Sequence, residues 1–360
     1  MSSNLIEPSL KVPDKFFASV MGNLDVVRSQ NGESMNVDNA LNGDIQSIEP
    51  ATYKVLMKGT DGLSLKGAIA QPEDVELSLN TGWTWIPYLP VVELGVEEAF
   101  SDYAPQENDV VKSHTQFAVF SGGKWSGTLT EMQPNNGYMY YTSRPSTMRY
   151  SPSRVRRISD EPAYLADTSH PWQYDENRFA NNTTIIADLY DGESKVMEGT
   201  FAVGAFCGNE CRGVGEYVDG RLFLTVFGNR DDAVKFKAVE NVTGKEYSIK
   251  QTIAFDEQPL GTLASPYKLE LGESSGINDV NADAVALNIY PNPVRDRIFI
   301  EGDITDVTGL KVVTVSGVTL ISSDTLQYGV DVTEIPDGTY IAAILTTNGV
   351  FYRKFVKKGY

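Results

Sequence analysis

Histidine, cysteine and positive charge are scarce in this chain of 360 residues. Its two histidines are His114 and His170 and its two cysteines are Cys207 and Cys211, so a metal centre built on these ligands is not expected. The 30 lysine and arginine residues face 48 acidic residues, and the net charge of −18 argues against nucleic acid and anionic membranes as partners. No stretch approaches about 18 consecutive apolar residues, so no membrane-spanning helix is expected. No cofactor is predicted.

The residues that are abundant favour β-structure. The chain contains 31 glycines, 17 prolines, 18 tyrosines and 15 phenylalanines, a composition typical of strands joined by tight turns. We therefore predict an all-β protein of tandem β-sandwich-like modules that ends in a small immunoglobulin-like β-sandwich. The segment Met1–Asn4 lacks the basic start and apolar run of a secretory signal, so we expect the natural chain to begin further upstream.

Self-comparison reveals an internal repeat at an offset of 84 residues, the distance from Asp25 to Asp109. The segment from Asp25 to Gln30 matches the segment from Asp109 to His114. Other landmarks keep nearly the same register: Phe16 and Phe100, Gly43 and Gly127, Pro50 and Pro134, Tyr53 and Tyr138. We predict that residues 1–72 are the C-terminal part of a truncated repeat module and that residues 73–150 are a second module.

Three further segments complete the predicted domain organisation. Residues 151–175 are rich in serine, proline, arginine and aspartate and are predicted to be a linker. Residues 176–272 contain strand-like runs separated by turn residues and are predicted to form a β-sandwich. Residues 273–285 are a polar, acidic tether, and residues 286–360 form the last module.

Catalytic candidates are weak in this sequence. Nucleophilic hydrolysis needs a base within hydrogen-bond reach of a serine or cysteine. His114 is the better histidine for that role, but Gln30 occupies the equivalent position in the first repeat. We therefore predict that the chain is not an enzyme.

The two cysteines lie four positions apart, with Gly208 and Asn209 between them as turn residues. In an oxidising compartment, a disulfide between Cys207 and Cys211 across this tight loop is one interpretation. Two free thiols are the alternative.

A set of aromatic residues is the candidate binding face of the second module. Trp83 and Trp85 share one face of a predicted strand, because side chains alternate along a strand. The candidate residues are Trp83, Trp85, Trp125, Tyr138 and Tyr140. If exposed, they would stack on sugar rings of a glycan; the competing interpretation places them in the module core.

Three landmarks mark the last 75 residues. The first is the opening Tyr290, Pro291, Asn292 and Pro293, in which the prolines favour extended geometry in the residues before them. The second is a turn that leads into Gly338 and Tyr340. The third is the closing run of Lys354, Phe355, Val356, Lys357 and Lys358.

These landmarks, in this order, resemble the C-terminal sorting domain of type IX secretion (Por) cargo proteins. The resemblance implies a protein exported via the periplasm, secreted or attached to the surface of a Gram-negative bacterium. It also implies that the outer-membrane translocon and sorting machinery are partners.

The segments 82–86, 108–113, 125–139 and 203–226 resemble repeated, uncharacterised β-modules of large secreted, adhesin-like proteins. We therefore expect a non-catalytic C-terminal region with adhesive or spacer modules, whose ligand is a glycan or a host protein. The alternative function is the accessory tail of a secreted hydrolase whose catalytic domain lies upstream.

Overall fold

The computed structural model describes residues 1–150, 171–241, 243–274, 287–302, 307–314, 319–324, 326, 329–346 and 349–359. Strands dominate these residues, which confirms the predicted all-β class. The α-helices found there, α1 (Pro13–Phe16) and α2 (Val96–Ala99), have four residues each, and no helix of the described part is long and apolar enough to cross a membrane. Most of the two predicted linkers, residues 151–170 and 275–285, lies outside the described residues.

The first sheet has four antiparallel strands in the order β3-β2-β1-β4. These strands are β1 (Leu24–Arg28), β2 (Glu33–Val37), β3 (Ala40–Gly43) and β4 (Lys54–Met57). Leu24 and Val27 on its inner face pack against Phe16 and Phe17 at the end of α1. Short 3-10 helices at Pro8–Leu10 and Pro72–Asp74 lie before and after this unit.

The second sheet has five antiparallel strands in the order β10-β9-β8-β12-β6. The strands of this region are β5 (Leu77–Leu79), β6 (Gly82–Pro87), β7 (Leu94–Gly95), β8 (Val110–Lys112), β9 (Phe117–Ser121), β10 (Lys124–Gly127), β11 (Glu131–Met132), β12 (Gly137–Thr142) and β13 (Ser146–Met148). The pairs β7–β11 and β5–β13 flank the sheet. Its core is aromatic, with Tyr88, Phe100, Tyr138, Tyr140 and Tyr150 all buried.

The two sheets correspond strand by strand. Strands β1, β2, β3 and β4 occupy the positions of β8, β9, β10 and β12 in the same spatial order. Gly43 and Gly127 have φ angles of 152° and 154°, and a Cβ on either would collide with the backbone of the neighbouring strand. Each sheet also has a buried tyrosine whose hydroxyl accepts a backbone N–H: Tyr53 from Glu49 and Tyr138 from Gln133. The second sheet carries one additional strand, β6, next to β12.

The third sheet closes into a barrel. Its strands are β14 (Asn182–Asp191), β15 (Ser194–Lys195), β16 (Phe201–Cys207), β17 (Glu210–Val218), β18 (Arg221–Phe227), β19 (Ala233–Glu240), β20 (Glu246–Ala254) and β21 (Tyr267–Ser274), preceded by a 3-10 helix at Glu176–Arg178. They pair antiparallel in the order β15-β14-β18-β17-β16-β19-β20-β21, and β21 then pairs parallel with β14. This last pairing turns the expected two-sheet sandwich into one closed sheet around an apolar core.

In its described residues the last module is a two-sheet sandwich of seven strands, consistent with the predicted immunoglobulin-like fold. One sheet contains β22 (Asn288–Tyr290), β23 (Arg297–Glu301) and β26 (Val330–Asp331), and the other contains β24 (Val307–Thr314), β25 (Thr319–Ser323), β27 (Gly338–Thr346) and β28 (Gly349–Lys357). The buried residues of its core all lie between Leu287 and Phe355. The module therefore has a hydrophobic core of its own.

The outer face of the second sheet packs on the barrel. Val110, Phe117 and Val119 of the sheet form one buried cluster with Ile186 and Phe223 of the barrel. The rings of Phe117 and Phe223 lie 5.2 Å apart. This shared apolar core fixes the second module to the barrel.

Candidate functional site

The sorting landmarks come together in three dimensions. The side chain of Asn292 joins the opening motif to the last strand, because its Nδ2 donates to the carbonyl of Lys354 (3.2 Å) and its Oδ1 accepts from the N–H of Val356 (2.9 Å). Val294 continues the contact through two backbone hydrogen bonds, with the carbonyl of Val356 and the N–H of Lys358. Both X–Pro bonds of the opening, at Pro291 and Pro293, are cis.

The middle landmark lies on β27, the strand that pairs with the last strand, and there Tyr340 is the partner of Phe355. The hydroxyl of Tyr340 donates to the carbonyl of Pro336 (2.8 Å), and its ring lies 5.9 Å from that of Phe355. Phe355 is fully buried. The N–H of Gly359 donates to Oδ1 of Asp337 (2.6 Å), which attaches the end of the chain to the turn before Gly338.

Burial divides the predicted sorting residues into two groups. Tyr340, Phe355 and Lys357 are buried, and Gly338 and Val356 are partly buried. The exposed residues are Tyr290, Pro291, Asn292, Pro293, Lys354 and Lys358. We call this second group the exposed sorting face, because the Asn292 contacts bring the opening motif beside the terminal lysines.

The five candidate aromatic residues do not form one exposed face. Tyr138 and Tyr140 are buried in the core of the second module, and Trp125 packs against the same core. Trp83 lies under the barrel, where its Nε1 donates to the carbonyl of Glu257 (2.8 Å). Trp83, Trp85 and Trp125 are all partly exposed, and Trp85 is the one that lines the cleft described next. Tyr138 and Tyr140 therefore lie in the module core, whereas the three tryptophans are partly exposed in different surroundings.

Trp85 lines a cleft of about 710 Å³ between three parts of the chain. One wall is the outer face of the first sheet, with Arg28, Lys54 and Leu56. The second sheet contributes Lys112 in addition to Trp85, and the third side is the segment 177–182.

Two lysines of this cleft interact with tryptophan rings. Lys54 Nζ lies 4.8 Å from the Trp85 ring centroid and donates to Oδ1 of Asn181 (3.1 Å). Lys112 Nζ lies 4.1 Å from the Trp83 ring centroid and donates to the carbonyl of Asn182 (2.8 Å). Burial lowers the pKa of Lys112 to about 7, repulsion from Lys54 adds to the shift, and attraction to Glu257 opposes it. Sequence patterns did not identify these lysines, because each is a single charge in a strand.

Lys112 should make stability depend on pH. Its folded pKa of about 7 lies below the ordinary value of 10.5, so between these pH values the unfolded chain binds a proton that the folded chain does not. The free energy of unfolding should therefore rise with pH across this window. Lys112→Met should reduce this rise by an amount on the order of 3 to 4 kcal/mol between pH 7 and 10. The contribution of Lys54, whose pKa burial also lowers, should remain.

Urea titrations of both proteins at several pH values, followed by tryptophan fluorescence, measure this difference. The exposed Lys58, paired with Asp25 (3.4 Å), provides the control variant Lys58→Met, which should keep the wild-type dependence. If the free energy of unfolding changes with pH by the same amount in the wild type and in Lys112→Met, the expectation is contradicted.

His114, the better histidine for the role of a catalytic base, makes contacts between modules. Its Nε2 donates to the carbonyl of Glu176 (2.6 Å), and its ring packs on Phe227. Gln30, its equivalent in the first sheet, also bonds to the next module: its Nε2 donates to the carbonyl of Trp83 (2.9 Å) and its Oε1 accepts from the N–H of Trp85 (2.8 Å). The turn between β1 and β2 and the turn between β8 and β9 thus each contact the unit that follows in the chain.

The structure has Cys207 and Cys211 as two free thiols, the second of the two interpretations. In the β16–β17 hairpin Cys207 pairs with Glu210, and Cys211 pairs with Phe206. Neighbouring residues on a strand point to opposite faces, so the two thiols lie on opposite sides of the hairpin. Cys211 is buried, and burial raises its pKa.

Alkylation without prior reduction tests this arrangement. We expect the unfolded chain to take up two carbamidomethyl groups, because both thiols are free. A chain purified from the extracellular medium that takes up none, and takes up two only after reduction, would contradict the structure. Cys207→Ser should leave thermal stability unchanged within about 0.5 kcal/mol, as expected for a partly exposed position.

Comparison with known proteins identifies the last module. Residues 288–358 match the family model described as a secretion system C-terminal sorting domain. No protein of curated function matches the chain. A solved structure, a DUF3823 family protein from Parabacteroides merdae ATCC 43184, is similar with a TM-score of 0.18 and 9% identity, covering 50% of this chain and 100% of that chain. A similarity at this level carries no argument about fold or function.

The family match confirms the predicted type IX sorting domain. The protein is therefore exported by type IX secretion and is secreted or attached to the cell surface. Its tail is the part that interacts with the secretion machinery.

Proposed function

We propose that residues 1–274 are a non-catalytic, adhesive region that the sorting domain carries to the cell surface. The observation that supports this role most strongly is the paired use of Gln30 and His114. Both occupy the same turn of corresponding sheets, and the side chain of each forms a hydrogen bond with the next module. A repeated docking contact suits tandem modules that extend a binding surface from the cell.

The proposed route to the surface uses the exposed sorting face. The outer-membrane translocon binds Tyr290, Asn292 and the terminal lysines, which are exposed beside each other while Phe355 maintains the fold beneath them. The chain is then cut in the tether near residues 273–288, and the preceding region is fixed to the outer membrane. The mass of the extracellular form tests the cut: it should lack the sorting domain, whereas a full-length extracellular form would contradict this step.

Adhesion itself is tested by cells that secrete either the whole chain or a variant without residues 1–150. Both forms should reach the surface, detected with an antibody to a tag in the barrel region. Cells with the shorter form should lose adhesion to immobilised host-matrix proteins and polysaccharides. Equal adhesion of the two strains would refute the adhesive role, and turnover in a broad hydrolase screen of the purified chain would refute the non-catalytic role.

A further inference from the structure

The cleft between the first sheet, the second sheet and the segment 177–182 has the dimensions of a ligand site. Its volume of about 710 Å³ falls within the range of about 300–1,000 Å³ usual for small-molecule pockets. Contacts between modules build it: Lys54 of the first sheet reaches both Trp85 and Asn181. The site therefore exists only when the modules are docked.

The cleft is cationic in an acidic protein. Among the described residues, no carboxylate lies within 4 Å of the ammonium groups of Lys54 and Lys112, whose close partners are amide or carbonyl oxygens and aromatic rings. The one acidic residue among the described lining residues, Glu33, already pairs with Arg28. Glu257 attracts both lysines from a distance, but no ion pair is formed with either among the described residues. Because burial disfavours the charged form of both lysines, an anion that enters the cleft and lies beside Lys54 would supply a closer opposite charge and be stabilised there.

The remaining lining is suited to a sugar ring. Trp85 presents an aromatic surface, and Leu56, 54% exposed, adds an apolar wall. The apolar C–H face of a pyranose packs on such surfaces. Asn177, Asn181 and Asn229 line the same space, and asparagine amides can donate to and accept from hydroxyl groups.

We propose that this cleft binds an anionic saccharide, a pyranose that carries a carboxylate or a sulfate group. The negative group lies at Lys54 and the ring packs on Trp85. This assignment rests on the adhesive function proposed above and names its ligand class.

Calorimetric titration of the full chain tests the ligand class with three probes: a tetragalacturonate, a heparin-derived tetrasaccharide and a neutral galactose tetrasaccharide. At least one anionic probe should bind, more weakly as salt rises, and at least tenfold more tightly than the neutral probe. The two anionic probes distinguish a carboxylate ligand from a sulfated one. No binding by either, or equal binding of the neutral probe, would overturn the proposal.

Two lysine variants locate the site. Lys54→Met should weaken the anionic probe at least tenfold, whereas Lys58→Met, outside the cleft and paired with Asp25, should bind as the wild type does. Unchanged thermal melting of both variants controls for folding. Unchanged binding by Lys54→Met would overturn the site.

The two levels of the proposal fail separately. If no saccharide binds while residues 1–150 still support adhesion, the saccharide assignment is wrong and the adhesive function remains. If no saccharide binds and cells adhere equally with and without residues 1–150, the adhesive function itself is wrong.

Discussion

Replacing Phe355 with alanine is expected to unfold the sorting domain and abolish export. Phe355 is fully buried, and its ring packs near Tyr340, which anchors the preceding turn through the Pro336 carbonyl. Loss of a buried phenylalanine costs about 3–5 kcal/mol, a large share of the stability of a small module. Hydrogen exchange in β27 and β28 should accelerate accordingly, and extracellular protein should fall to background.

Lys354→Ala is the matched control for this variant. Lys354 is the preceding residue on the same strand, but its side chain is exposed, so its loss should change stability by no more than about 0.5 kcal/mol. Reduced export of Lys354→Ala with unchanged hydrogen exchange would assign this lysine to recognition. Normal export and normal exchange in Phe355→Ala would contradict the structural role given to Phe355.

The second large effect is expected at Gly127. An alanine Cβ there would lie 2.3 Å from the carbonyl oxygen of Phe117 and 2.7 Å from Cα of Ala118, and φ is +154°. These neighbours are backbone atoms of β9 and cannot rotate away. The backbone conformation and the overlap together should cost about 2–6 kcal/mol.

Gly122→Ala provides the comparison. Gly122 also has a positive φ, +60°, but nothing lies within 4 Å of an added Cβ, so the expected cost is only about 1–2 kcal/mol. Urea unfolding followed by tryptophan fluorescence reports on this module, which contains Trp83, Trp85 and Trp125 of the four tryptophans. A Gly127→Ala variant no less stable than Gly122→Ala would contradict the close strand approach at Gly127.

Local patterns predicted the all-β class and the landmarks of the last module. The opening at Tyr290–Pro293, the turn before Tyr340 and the terminal lysines are local features, so their roles can be read from short segments. Contacts such as Asn292 to the last strand join residues about 60 positions apart, and the sequence carries no signal for them. Which sorting residues are exposed and which are buried could therefore be determined only from the structure.

Pairing between strands that are far apart in the sequence explains why the structure of the other modules differs from the prediction. The barrel closes through a parallel pairing of Ala187–Tyr190 with Tyr267–Glu270, which strand patterns alone do not indicate. The cysteine hairpin is different, because its strand register could be predicted from the sequence. A two-residue loop at Gly208 and Asn209 places Cys207 opposite Glu210 and leaves Cys211 on the other face. The roles of Lys54 and Lys112 in the cleft could not be predicted from the sequence, because contacts between modules create the surroundings of these side chains.

Export of a fused reporter is the most direct test of the central claim that the last module is a self-contained sorting domain. Residues 273–360 are appended to a periplasmic reporter in a host with type IX secretion, and a second fusion carries Phe355→Ala. We predict that the first reporter appears outside the cell and that the second remains in the periplasm. Retention of the first reporter in the periplasm would contradict the sorting role of this module.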